Sequence, residues 1–344
     1  SFDPLLVKSM VYGPETIMDL YVLIHNSFAP RYRIPQFIPF FRERGIETDL
    51  VRLSRGIAAR WSSLARARKY DIVILERKLI QPWELHFLRK RSRKLVFDFD
   101  DAIMYRSSRW AQPGSSTRMV KFGRIVESCD LILAGNSFLK EQALKFASED
   151  RVSVIPTVVD LARYPMRNQS GPTEELTMGW IGSGGTIHYL EKILPALEEV
   201  ARRFPHVRLK IVCDRFMESP FIRIVKKPWE ETQEVKDVQS FDIGIMPLTD
   251  DLWARGKCAL KIVQYSAVGV PVVCSPVGMN RDIVRDGLNG FWTTTKREWV
   301  DRLALLIEDP ELRKQMGLAG RRIVEERYSL QVVGERLIEL FKGL

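Results

Sequence analysis

Cysteine is scarce in this 344-residue chain, with only Cys129, Cys213, Cys258 and Cys274, and the four form neither a CxxC pair nor a Cys/His cluster. That spacing excludes a zinc-finger type of site and a disulfide framework, and it points to buried thiols in a reducing compartment. Histidine is equally sparse, with His25, His86, His188 and His206. HExxH, GxSxG and a plausible Cys/His pair are all missing, which removes zinc-peptidase, serine-hydrolase and cysteine-protease chemistry. No apolar run approaches the roughly 20 residues that span a bilayer. The opening SFDPLLVKSM lacks the basic-then-apolar order of a signal peptide, so cytoplasmic residence is the expectation. Short repeats and low-complexity segments are also missing.

Acidic residues are short in one half only. Residues 1–165 carry 27 Lys and Arg against 18 Asp and Glu, whereas residues 166–344 carry 26 against 25. Most of the +10 net charge thus sits in the first half, and Arg52 to Lys94 alone holds 13 basic residues against 3 acidic ones, interleaved with Trp61, Trp83 and Phe87. Such a patch suits an anionic membrane surface, a phosphorylated acceptor or nucleic acid, or is simply a basic solvated face. RIPQFIPFFRER offers either a second apolar membrane contact or a helix whose Phe37, Ile38, Phe40 and Phe41 face the core.

Apolar runs of strand length alternate with amphipathic stretches: MDLYVLIHN, ETDLVRL, YDIVILE, KLVFDFD, CDLILAGN and RVSVIP. After a Pro- and Gly-containing stretch near 160–175 the pattern resumes with TMGWIG, VRLKIVCD, FIRIVKK, FDIGIMPL and VPVVCS. The alternation predicts α/β architecture: two doubly wound parallel sheets, residues 1–165 and 166–344, with three terminal helices. The last of these is placed to cross back to the first domain.

Candidate chemistry gathers at predicted strand ends, where doubly wound sheets bind ligands. GWIGSGGTIHYL puts Gly182, Ser183, Gly184, Gly185 and Thr186 between a strand and a helix, either as a phosphate-approaching loop or as a tight turn. KLVFDFDDAI puts Asp98, Asp100 and Asp101 at another strand end, with Asp98 and Asp100 on one face. This is either a DxD-like metal triplet or a solvated strand end. AGNSFL offers Asn136 to the cleft, with Ser137 as a helix cap. HNSFAPRYRIP offers His25, Arg31 and Arg33. GKCALKIVQYSAVGVPVV reads as a helix from about Cys258 to Val268, on which Lys257, Lys261 and Gln264 fall on one face.

Taken together, these stretches resemble family 4 glycosyltransferases, which have the GT-B fold of two Rossmann-like domains facing across a cleft, and especially a bacterial branch that builds surface polysaccharides. The resemblance is strongest over FDIGIMPLTDDLWARGKCALKIVQYSAVGVPVVCSPVGMNRDIVRDGLNGF. It implies a retaining, metal-independent transfer from a nucleotide-sugar to a glycan or lipid-linked acceptor, with no cofactor. It also implies roles. Lys227 and Trp229 would flank the base, and Gln264 would stand where the family has a ribose-binding glutamate. Lys261 and either Lys257 or Arg255 would meet the diphosphate, with Gly182 to Thr186 approaching it and Gly256 and Cys258 bordering the sugar. Asp100 or Asp101 would position or deprotonate the acceptor hydroxyl, with Arg33, Asp98 and Asn136 on the acceptor side. The family's sugar-facing glutamate is replaced by Gly256, so backbone groups or Lys257 would take over there. Peripheral attachment to the inner membrane face through residues 52–94 is part of this picture, and nucleic acid is not an expected partner. A nucleotide-sugar epimerase or hydrolase on the same architecture, or a non-catalytic binding protein, are the alternatives.

Overall fold

The two blocks of short apolar runs become two six-stranded sheets. The structure is a computed structural model that describes residues 18–24, 32–54, 56–110, 112–168 and 175–344. The opening decapeptide, His25, Arg31 and part of the stretch near 160–175 lie outside the described residues. The first sheet comprises β1 (Met18–Ile24), β2 (Ile46–Arg52), β3 (Ile72–Glu76), β4 (Lys94–Phe99), β5 (Leu131–Ala134) and β6 (Val152–Val154). The second comprises β7 (Leu176–Ile181), β8 (Val207–Cys213), β9 (Arg223–Pro228), β10 (Ile243–Met246), β11 (Val272–Cys274) and β12 (Gly290–Trp292). Their orders are β2-β1-β3-β4-β5-β6 and β12-β11-β10-β7-β8-β9, and neighbouring strands pair in parallel.

Parallel strands covered by helices on both faces need apolar residues at consecutive positions rather than at alternate ones. β3, IVILE, is accordingly buried throughout, as are β5 and β7. Each order reverses direction once, between β1 and β3 in the first sheet and between β7 and β10 in the second. Those reversals open a crevice at the carboxyl ends of the strands.

Several local expectations are corrected. Ser137 is the first residue of its helix, and Asn136 is the cap, its Oδ1 accepting from Leu139 N at 2.9 Å. The helix expected from Cys258 runs from Leu260 to Ala267, because Ala259 takes a left-handed conformation (φ 50°) that no helix can contain. Phe37, Phe40 and Phe41 are core residues and not a membrane contact: they pack with Val333, Leu337, Ile338 and Phe341 of the terminal helix Leu330–Lys342. Phe41 meets Phe341 edge-on at 6.1 Å. The chain therefore ends on the first sheet, crossing over where Leu330 N donates to Val159 O at 3.0 Å.

Candidate functional site

The carboxyl ends of the two sheets face each other across a cavity of about 270 Å3. Its second-domain wall includes Gly182, Ser183, Thr186, Lys257 and Lys261, and its first-domain wall includes Arg77, Asp100 and Asp101. Gly182 follows β7 and Arg77 follows β3, so both walls are built at the points where strand order reverses.

On the second-domain wall, Lys261 comes from the first turn of the Leu260–Ala267 helix and lays its ammonium over the Trp180 ring, 4.2 Å from the centroid. Among the described residues it makes no ion pair. Burial and the nearby Lys257 push it down from 10.5 to about 7. Gly182 is needed beside it, since a Cβ there would enter the Trp180 ring and stand 3.0 Å from the Lys261 ammonium. Four of the five amides of the glycine loop are engaged within the protein. Gly182 N donates to Val212 O, Ser183 N to Thr186 Oγ1 (3.4 Å), Gly184 N to Asp214 Oδ1 (2.5 Å) and Thr186 N to Ser183 O. Arg109 of the first domain also donates to the Gly184 carbonyl. With those four amides engaged and Lys261 unpaired among the described residues, Lys261 is a cation placed to meet an anion.

The aspartates of the first-domain wall do not act as one triplet. Asp98 is fully buried and forked by Arg33, which also donates to Ile155 O at 2.8 Å. This closed ion pair inside the domain takes both residues off the acceptor side, and it turns Asp98 away from any metal that Asp100 and Asp101 would share. Those two are held instead by Arg77, whose Nε lies 2.9 Å from Asp100 Oδ1 and whose Nη2 pairs with Asp101 Oδ2. Lys257 approaches Asp101 across the cleft at 3.4 Å. Burial opposes ionisation of Asp101, yet Lys257 and Arg77 together hold it below the usual carboxylate range. For Asp100, burial and the Asp101 charge outweigh Arg77, and its carboxyl is pushed up. Lys257 itself is disfavoured by burial, but Asp101 and Tyr189 reverse that and hold it above its ordinary value.

Residues 255–258 form the contact between domains rather than the first turn of a helix. Asn136 Nδ2 donates to the carbonyls of Arg255 and Lys257, both at 3.1 Å, so it latches the domains and is not open to an acceptor. Cys258 Sγ donates to Asp100 O at 3.2 Å. Gly256 lies against Ala102, where a Cβ would come within 2.5 Å of the alanine Cβ and 2.8 Å of its backbone N. The first domain thus leaves no space for a side chain at position 256. The Arg255 guanidinium turns outward to Asp250, with Nε to Oδ1 at 2.6 Å, and does not line the cavity.

Gln264 and Trp229 converge on a residue that sequence reasoning passed over, Glu234. Gln264, 2% exposed, donates from Nε2 to Glu234 Oε1 (3.0 Å), Tyr164 Oη (2.9 Å) and Tyr32 Oη (3.1 Å). Trp229 Nε1 donates to Glu234 Oε2 at 2.8 Å, and both tyrosine hydroxyls donate to Oε1. The amide therefore sits in an interdomain polar hub rather than on the cavity wall. Lys227 pairs with Glu230 at 2.7 Å at the sheet edge. Arg77, Trp180 and Glu234 were missed. Only Arg77 left a trace, as the first of two cations directly after the buried run IVILE.

Residues 238–323 match the family model described as glycosyl transferases group 1. Spore coat protein SA of Bacillus subtilis (strain 168) is 22% identical over 197 residues, which are 53% of this chain and 52% of that protein, so the chain spans about half the length of this relative. Among solved structures, the Anabaena protein HepE in complex with UDP and glucose superposes with a TM-score of 0.69 at 15% identity, covering 95% of this chain and 100% of that one. A glycosyltransferase from Rickettsia africae ESF-5 superposes with a TM-score of 0.72 at 13% identity, covering 95% and 98%. The chain is thus a protein of GT-B fold that carries, over residues 238–323, the glycosyl transferases group 1 segment.

Proposed function

We propose that the protein is a retaining glycosyltransferase of family 4 type, moving a sugar from a nucleotide-sugar to a glycan or lipid-linked acceptor in surface polysaccharide synthesis, without a bound metal. The observation that carries this reading is the Lys261 ammonium, unpaired among the described residues, at the strand ends beside Gly182. In the transfer, the bond from the anomeric carbon to the diphosphate oxygen breaks and its electron pair leaves with the nucleoside diphosphate. The acceptor oxygen bonds to the same carbon from the face that the diphosphate leaves, as retention requires, and gives up its proton to a carboxylate. Lys261, with Lys257 behind it, stabilises the charge that develops on the diphosphate, a contact worth on the order of 3 kcal/mol of barrier. Asp100 and Asp101, opposite, serve the acceptor hydroxyl. The group 1 match and the UDP and UDP-glucose complexes of the Anabaena protein support the donor class.

Peripheral membrane attachment is part of the reading. The helices Ile57–Arg66 and Pro82–Arg89 bring Trp61 against Trp83 (5.1 Å) and Phe87 (4.2 Å), with Ile57 and Trp83 exposed at 75% and 51%. Among the described residues, no helix is long and apolar enough to cross a membrane. Aromatic rings ringed by cations suit the interface of an anionic bilayer.

The test is a thermal-shift screen against nucleotides and nucleotide-sugars, then transfer of labelled sugar to lipid-linked acceptors with the product anomer read by NMR. Stabilisation by one nucleotide-sugar and transfer with retention are expected. Donor turnover equally fast without acceptor would replace this reading with the epimerase or hydrolase one. Sedimentation with anionic vesicles checks the membrane part, which fails if no protein sediments at low salt.

A further inference from the structure

The cavity contains a cation that the glycosyl-transfer reading leaves without a role, Arg77. Its backbone is left-handed, with φ 53° at the end of β3, a strained conformation for a non-glycine residue. Arg77 N nonetheless donates to Asp98 O at 2.8 Å, which carries the β3–β4 ladder one residue further and turns the side chain along the end of β4. The guanidinium there spans two carboxylates, Nε to Asp100 and Nη2 to Asp101. A planar fork fixes the two carboxylates from separate nitrogens in a set geometry, which a rotatable ammonium does not. Its third nitrogen, Nη1, is buried and has no protein partner among the described residues.

The two carboxylates so held are not equivalent. Asp101 has a second cation, Lys257, and faces Tyr189 from the second domain. Among the described residues Asp100 is ion-paired with Arg77 alone; around it stand Asp101, Asp98, Glu76, the more distant Arg33, and the Cys258 thiol. We propose that Arg77 is the positioning residue of the acceptor site: it fixes Asp101 as the permanent carboxylate and leaves Asp100 to take the acceptor proton. This rests on the glycosyl-transfer reading. In the step, the hydroxyl proton moves to Asp100 as the oxygen bonds to the anomeric carbon on the face from which the nucleoside diphosphate departs with the old bond's electrons. The opposite directions in which the two carboxyls are displaced from their ordinary value agree with this division of labour.

Arg77→Gln and Arg77→Lys separate positioning from packing. For Arg77→Gln, nucleoside diphosphate binding by calorimetry stays at the wild-type affinity and kcat falls about a hundredfold. The acid limb of the kcat–pH profile moves to higher pH, because a cation that favours ionisation has gone. Arg77→Lys keeps the charge but loses the fork, so kcat is intermediate and the limb stays near its wild-type position. Near-normal kcat in Arg77→Gln, or a fall with the limb unmoved, overturns the proposal. If the wild-type protein neither binds nucleoside diphosphates nor transfers sugar, the glycosyl-transfer reading fails instead. Arg77 is then judged by carbon-13 carboxyl titration of Asp101, where an unchanged midpoint in Arg77→Gln overturns its positioning role.

Discussion

Lys261 holds its charge where burial disfavours it, and this gives the residue a measurable signature. Its folded value of about 7 lies below the ordinary 10.5, so between those two pH values the unfolded chain binds more protons than the folded one. Stability from this group therefore rises as pH climbs from 7 towards 10.5 and is lowest below 7. Lys261→Met should stabilise the unliganded protein at pH 7 by ~2 kcal/mol, since each tenfold loss of proton affinity corresponds to about 1.4 kcal/mol and solvent screens part of it. It should also abolish nucleotide binding. Denaturant titrations at pH 7 and 9 check this; a variant less stable than wild type at pH 7 would contradict it. The same lowered proton affinity predicts proton uptake when an anion binds near pH 8, seen as a dependence of calorimetric enthalpy on buffer ionisation. Lys261→Arg, which is always charged, should bind with no uptake. Lys261 was legible because a cation on an otherwise apolar helix stands out. Glu234, Arg33 and Asp98 were not, because burial of a charged group depends on partners distant in sequence, such as Asp98 for Arg33.

The segment before the Leu260–Ala267 helix shows where reading elements from sequence stops. Apolar periodicity runs unbroken through Cys258 and Ala259, so pattern alone places Lys257 on the helix face. The docked segment 255–258, pinned by Asn136 and packed on Ala102, starts the helix later, with Ala259 left-handed at its cap. Ala259→Gly should relieve that strain and raise stability by about 0.5–1 kcal/mol, measurable by urea titration. Gly256→Glu should hold the domains apart, because its Cβ has no room beside Ala102. Small-angle scattering should then show a larger radius of gyration than wild type, and an unchanged radius would refute the steric account.

At the scale of the whole molecule, the terminal helix joins the two halves. Val333, Leu337 and Phe341 complete the core beneath β1 and the Phe37–Phe41 turn, so the last residues stabilise the first domain. Phe341→Ala should cost about 3–5 kcal/mol, the range for truncating a buried aromatic. The loss should appear in hydrogen exchange of β1 before that of β7 to β10. The sequence alone determined the α/β class, the run of strands and the positions where strand ends carry glycine, lysine and aspartate. Periodicity and chain punctuation are local properties, and covered parallel sheets show them at every strand. Only the tertiary structure decided which of those residues share a cavity. It sent Asp98 to Arg33, Gln264 to Glu234 and Arg255 to Asp250, and it left Asp100, Asp101, Arg77, Lys257 and Lys261 together. The physical reason is that a charged side chain goes to its best-matched partner within reach, and reach is set by how two sheets pack, which no stretch of sequence contains.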